Sequence, residues 1–385
     1  MFQCGAMMPV NQNISRTQIL ASLLFLALLS GAAQAGEPLP KAENVLVVTL
    51  DGFRWQEVFA GVDEALLDSK AGGVRDLADL KRRYRRDSPT ARREALMPFL
   101  WGTIAKHGQI FGNPARKARV RSTNGLKFSY PGYNEMFCGF GDPRIDSNAK
   151  RDNPNLSVLE YLNGQPGFRG RVEAACTWDV FPFIFRARKS GLPVYAGWEP
   201  LKGDPLTERE RHLNEFMAMV PRYWPDNAFD VFTMGASRSA LERRQPRVLY
   251  VGLGESDEWG HGRRYDLYLD SAHKADQFLA ETWQMLQRSP RYRGKTALLV
   301  TTDHGRGSTR ADWTDHGKNV PGAEFVWIAV MGPDTPALGE RENVETTQSQ
   351  IAATIARFVG EDFNAGSPKA ARPLPVFGSE KAPAR

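Results

Sequence analysis

Sulfur and imidazole are scarce in this chain, whose 385 residues include three cysteines and six histidines. Three cysteines allow one disulfide at most, so a disulfide-stapled scaffold is excluded. Long apolar runs are also lacking. The one candidate, Ile19 to Leu29, is shorter than the roughly 20 residues a spanning helix needs, and no later segment is apolar enough to span a bilayer. Charge of one sign is missing too: 50 basic against 44 acidic side chains leave a net +6. Such a balance gives no footing for a nucleic-acid duplex as partner. The sequence has no internal repeat, and its 42% hydrophobic and 24% charged residues exclude a disordered chain.

What is present begins with a separable first segment. Arg16 precedes the apolar run, and small residues end in Ala33-Gln34-Ala35, which reads as a signal peptide over residues 1–35 cut after Ala35. The expected product is periplasmic or secreted, without a stable membrane span. Cleavage would remove Arg16 and Cys4, leaving a charge of +5 and two cysteines, Cys138 and Cys176. Their pairing depends on a distance that sequence does not contain. The basic segment Lys81 to Arg86, with Arg92 and Arg93, reads as a solvated helix face, with a dedicated anion-binding or nucleic-acid patch as the alternative.

Short aliphatic and β-branched runs, each followed by a polar turn and a helical pattern, predict an α/β fold. Its mostly parallel central sheet would be flanked by helices on both faces. The predicted strands are Val45 to Leu50, Arg171 to Cys176, Pro193 to Gly197, Val248 to Leu253, Ala297 to Thr302 and Phe325 to Val330. Two polar stretches, 61–95 and 201–245, read as helical insertions or caps. Gln348 to Phe358 reads as a late helix, the catalytic domain as residues 36–364, and the Pro/Ala-rich residues 365–385 as a flexible tail.

Asp51, Asp257 and Asp303 each lie at or just beyond the carboxyl end of a predicted strand, the edge at which open α/β sheets bind ligands. One such aspartate is commonly a helix N-cap; three with histidines attached point to metal. Asp257 and His261 are four apart, Asp303-His304-Gly305 puts oxygen and nitrogen ligands side by side, and Asp315-His316-Gly317 repeats that tripeptide. Three of the six histidines fall in these settings, whereas His107, His212 and His273 do not.

In order, Asp51-Gly52-Phe53-Arg54, Phe128-Ser129-Tyr130-Pro131, Asp257-x-x-x-His261, Asp303-His304-Gly305 and His316-Gly317 resemble the alkaline phosphatase superfamily. Within it they are most similar to the nucleotide pyrophosphatase/phosphodiesterase group, over roughly residues 43–360. Asn148 resembles that group's phosphate-contacting asparagine, Trp178 its Trp-Pro-Gly tryptophan, and Gln348 to Ala356 its late helix. The resemblance implies two Zn²⁺ ions, or other divalent metals. Asp51, Asp303, His304 and the Ser129 oxygen would hold one, and Asp257, His261 and His316 the other. It implies Ser129 as the nucleophile, a phosphoseryl intermediate, and a small phosphate ester as substrate. Ser122 and Thr123 are competing hydroxyls without the aromatic-Pro sequence that follows Ser129.

The chain departs from the group at Gly132, where an asparagine is usual; residues 132–135 are expected to reshape the substrate entrance. Gly262-Arg263-Arg264 replaces a Gly-Pro and places Arg263 and Arg264 where they could bind a dianion or lie in solvent. Diester or pyrophosphate cleavage is favoured by Asp-Gly-Phe-Arg and Trp178, with monoester cleavage as the alternative. A sulfatase would need Cys-x-Pro-x-Arg, and the spacing from Cys138 to Pro143 is wrong. A catalytically silent periplasmic binding protein would have lost ligands, and all six are here. Phosphoglycerate mutases and phosphoethanolamine transferases share features but differ in compartment or membrane helices.

Overall fold

The computed structural model describes Met1, residues 41–203 and residues 205–378. All but Met1 of the expected signal segment lies outside the described residues. β1 (Asn44–Leu50) is buried along its whole length, and its alternate side chains face opposite ways. Val45 and Val47 enter one core cluster, while Leu46, Val48 and Leu50 enter the other. That two-sided burial is why the strand reads as a continuous aliphatic run.

β1 lies between β6 (Val248–Leu253) and β7 (Thr296–Thr301), parallel to both. Beyond β6 come β4 (Val172–Cys176) and β5 (Val194–Ala196), also parallel. Beyond β7 the direction reverses at β9 (Ile328–Met331), then come β2 (Gly108–Phe111) and β10 (Gly339–Glu340). The sheet thus has eight strands, mostly parallel. A second sheet holds three short strands, β3 (Ala118–Arg121), β8 (Phe325–Val326) and β11 (Val344–Thr347). The single strand predicted at Phe325 to Val330 is therefore divided between two sheets at Trp327, whose indole donates to the Phe53 carbonyl.

Among the helices, α1 (Trp55–Ala60), α2 (Leu77–Tyr84) and α3 (Pro89–Leu96) occupy the first polar stretch and its approach. Its buried Val62, Leu66, Val74, Leu80 and Tyr84 belong to the core cluster that holds Leu46, Val48 and Leu50. Five of its arginines are ion-paired: Arg82 with Asp79, Arg83 with Asp270, Arg85 and Arg92 with Glu64, Arg93 with Glu340. α4 (Ser129–Cys138) and α5 (Val158–Gly164) follow.

The second polar stretch, expected as a helical insertion or cap, is helical. It contains α6 (Glu208–Met219) and α7 (Asp230–Arg243), and α7 is the crossover helix from β5 to β6, with Ala236 packed near Ala175 of the sheet. Its polar residues disguise a flanking element. After β6 come α8 (Glu255–His261) and the long α9 (Tyr265–Arg288), and α10 (Ile351–Phe358) closes the predicted late helix.

The described part of the segment expected as a flexible tail, residues 365–378, is anchored by burial. Leu374 and Val376 are fully buried, and the Leu374 N–H donates to Thr354 Oγ1 at 2.8 Å. Composition predicts looseness here because prolines mask two well-buried apolar anchors. Cys138 and Cys176 are buried free thiols. Among the described residues no helix is long and apolar enough to cross a membrane.

Candidate metal centre

Strand ends and loops converge beyond the carboxyl edge of β1, β6 and β7. Asp51 directly follows β1, and Gly52 turns the chain at φ +59°. That turn lets the Gly52 N–H donate to Asp303 Oδ1 at 3.0 Å and the Phe53 N–H to Thr302 Oγ1 at 3.1 Å, tying the first loop to the one after β7. Arg54, the last residue of the Asp-Gly-Phe-Arg match, turns inward. It is buried, pairs with Glu57 and donates to the Gly307 carbonyl at 3.0 Å, so its role is architectural.

The six expected ligands gather into two groups, Asp51 with Asp303 and His304, and Asp257 with His261 and His316. In the first, His304 Nε2 lies 3.3 Å from Asp51 Oδ1 and 3.4 Å from Asp303 Oδ2. Both oxygens are buried and accept no hydrogen bond. In the second, His261 Nε2 is 3.2 Å from Asp257 Oδ2 and 2.9 Å from His316 Nε2. Asp257 Oδ1 also lies 3.8 Å from His304 Nε2, so the groups adjoin.

Ring orientation is set from outside the cluster. His304 Nδ1 donates to the Gly305 carbonyl at 3.0 Å and His316 Nδ1 to the Lys127 carbonyl at 3.3 Å. A carbonyl only accepts, so the proton sits on Nδ1 and the Nε2 lone pair points into the cluster. The Nε2 atoms of His261 and His316 face each other at 2.9 Å, a distance that needs a proton or a cation between them.

Electrostatics lead to the same requirement. Burial, then the charge on Asp257, pushes the Asp51 carboxyl well above the usual range, and burial with Asp51 does so for Asp303. Burial, followed by the neighbouring His304, pushes the His316 imidazole down to about 2. Burial would also raise Asp257, but Arg306 and His261 outweigh it and hold that carboxyl well below the usual range. Imidazoles, clustered carboxylates and two orphaned acidic oxygens are a donor set that fits divalent cations of the zinc type.

Ser129 is the first residue of α4 and mostly buried, its Oγ 3.5 Å from His304 Nε2. The rival hydroxyls are engaged elsewhere: Ser122 Oγ and Thr123 Oγ1 donate to Glu135 at 3.0 and 2.8 Å. Asn148 is exposed. Its Oδ1 accepts from the Tyr130 N–H at 3.0 Å, which leaves the amide N–H groups for another acceptor beside Ser129.

The expected entrance loop at 132–135 is corrected. These residues lie within α4, whose ten residues are all buried. Gly132 lies against the Asp303 carbonyl, where a Cβ would collide. The Tyr133 hydroxyl donates to Asp51 Oδ2 at 2.9 Å. Glu135 accepts from Ser122, Thr123, Asn124 and Ser349, which fastens the loop leading into Ser129.

The remaining expected contacts separate. Trp178 is buried against Phe181, with its indole N–H on Asp226 at 3.3 Å. Arg264 is committed to Asp266 at 2.9 Å, whereas Arg263 is exposed with φ +50°.

Sequence reasoning missed Tyr133, Arg306 and Gln348, whose Nε2 donates to the Asp303 carbonyl at 2.6 Å. Arg306 carried the one usable signal, since it follows Asp303-His304-Gly305 directly.

A family model described as the metalloenzyme superfamily matches residues 230–362, the span bearing five of the six ligands. No curated protein matches the chain in sequence. The solved structure of wild-type alkaline phosphatase PafA is similar with TM-score 0.57 at 11% identity, covering 89% of this chain and 99% of that one. A Bacteroides thetaiotaomicron protein of glycosaminoglycan metabolism is similar with TM-score 0.52 at 13% identity, covering 89% and 78%. Ps i-CgsB is similar with TM-score 0.51 at 12% identity, covering 86% and 75%. The family match thus falls on the span that bears most of the ligand set, and the fold is one shared with alkaline phosphatase PafA.

Proposed function

We propose that this protein is an exported, two-zinc hydrolase of phosphate esters that acts through a phosphoseryl intermediate on Ser129, with diesters or pyrophosphates as substrates. One observation carries the reading: a serine hydroxyl stands 3.5 Å from His304 Nε2 at the edge of two adjoining ligand groups. Asp51, Asp303, His304 and Ser129 would hold one ion, and Asp257, His261 and His316 the other. Such ions supply a lowered hydroxyl pKa and electrostatic stabilisation of charge on phosphoryl oxygens.

Ser129 Oγ forms the new bond to phosphorus as the bond to the leaving oxygen breaks in line, and the hydroxyl proton passes to solvent. Water then attacks the phosphoserine, restoring the hydroxyl and releasing phosphate or a monoester. The Asn148 amide donates to a non-bridging oxygen, which its backbone-anchored Oδ1 orients it to do. Arg263, exposed just after His261, favours monoester cleavage as the second reading, because a dianion gains from a nearby cation. Arg264 and Trp178, committed to partners, act on substrate only indirectly in this scheme. Residues 1–35 serve as the export signal, and the released chain is periplasmic or secreted.

The test is a parallel assay of bis-p-nitrophenyl phosphate, p-nitrophenyl phosphate and p-nitrophenyl sulfate with zinc present. The diester is expected to be cleaved fastest. A faster monoester selects the second reading, and a dominant sulfate rate or no turnover of any substrate overturns the proposal.

A further inference from the structure

Arg306 is a cation built into the centre. Its side chain is fully buried, at 1% exposure. It donates from Nε to the Gly52 carbonyl at 3.2 Å, from Nη2 to the Asp257 carbonyl at 2.8 Å, and from Nη1 to the Thr314 carbonyl, and it forms an ion pair with Asp257 Oδ1. One guanidinium therefore touches the loop after Asp51, the helix of Asp257 and His261, and the loop leading to His316.

Two glycines shape its slot. A Cβ on Gly260 would lie 2.7 Å from Arg306 Cζ, and one on Gly52 3.0 Å from its Nε and against Asp257 Oδ1. The slot sits against the second ligand group: among the described residues Arg306 forms an ion pair with Asp257, whereas Asp51 and Asp303 pair with no arginine or lysine and Asp51 feels Arg306 only without direct contact. The first group thus offers a cation two carboxylates and one imidazole. The second offers two imidazoles and one carboxylate whose charge Arg306 already balances.

We propose that Arg306 is a positioning residue that holds Asp257 and, by its charge, makes the centre fill in a fixed order, the Asp51, Asp303 and His304 group first. This rests on the two-metal reading above. A like charge in direct contact with Asp257 opposes a cation at the second group, whereas the first group has two orphaned oxygens and meets the Arg306 charge only without direct contact. A one-metal state is then populated whenever free metal is limiting, and the second group sets the metal concentration at which the centre is complete.

The test uses the full-length protein, stripped by a chelator, labelled with ¹⁵N at its six histidines and titrated with Zn²⁺. The first equivalent is expected to shift the His304 ring resonances and leave His261 and His316 in place. The second moves those two, with a dissociation constant weaker by about tenfold or more. Arg306→Gln, which keeps donors but removes the charge, should bring the two steps together. Arg306→Lys should keep them apart. The ordering is overturned if wild-type His261 and His316 shift with or before His304, or if folded Arg306→Gln retains the full separation. The wild-type titration decides alone should that variant not fold. No ring shift with zinc at all would strike down the metal reading itself.

Discussion

At Gly52 two demands meet in one residue. Its φ of +59° lies where a side chain is strained, and any Cβ would press on Asp257 Oδ1 and the Arg306 guanidinium. Gly125, at φ +73° with open space for 4 Å around the position a Cβ would take, shares only the first demand. Gly125→Ala should therefore cost about 1 kcal/mol of stability. Gly52→Ala should cost roughly 2–4 kcal/mol and lower zinc content as well. Denaturant melts with metal analysis compare the two, and equal losses with full zinc in both would refute the steric account. Ser129 makes the opposite case, a side chain proposed for chemistry rather than for structure. Ser129→Ala should cut turnover by about three orders of magnitude or more while zinc content stays at the wild-type value. Wild-type-like rates would remove Ser129 from the reaction.

Elements near the site are legible in proportion to how local their causes are. The strand Val248 to Leu253 can be read to the residue because both faces are buried, and a continuous aliphatic run has few other uses. The helix beginning at Ser129 reads in sequence as an entrance loop, since Ser-Tyr-Pro-Gly-Tyr is poor helix sequence. What makes it a helix is tertiary: Tyr133 reaches Asp51, and Glu135 gathers donors from two distant segments. α7 escapes the sequence for a related reason, its Ser, Arg and Glu residues hiding the side that packs on the sheet.

α6 is held locally, by a capping box in which Thr207 and Glu210 satisfy each other's backbone N–H groups. Burial raises the Glu210 carboxyl, yet bonds from Ser239 and Thr207 and the charge of Arg243 outweigh it and hold the group near about 2. Because that lies below the unfolded value, the stability it contributes is present above about pH 4.5 and lost as pH falls through about 2. Glu210→Gln should remove roughly 1–3 kcal/mol at neutral pH, with solvent screening keeping it in that range. It should also flatten the acid limb of the stability profile. An unchanged acid limb would show that this carboxylate is not the titrating group.

Across the whole molecule, the order of ligands along the chain is readable from sequence while the distances between them are not. Asp51, Asp257 and Asp303 are remote in sequence and meet only because β1 lies between β6 and β7, a consequence of sheet order. The same long-range closure governs the C-terminal segment. Leu374 and Val376 fill the core cluster on the face of Val45 and Val47, the Ala371 N–H donates to the Gly139 carbonyl just past α4, and the Val376 carbonyl receives Gln109. This segment thus clasps the end of the helix that begins with Ser129 to the far edge of the sheet. Removing residues 370–385 should cost about 3–5 kcal/mol, since two large apolar side chains leave a buried site and a cavity remains. The loss should appear as a lower midpoint in urea and as weaker protection of the α4 amides from hydrogen exchange. If the truncated chain melts like the full one and α4 stays equally protected, the clasp is not part of what holds Ser129 in place.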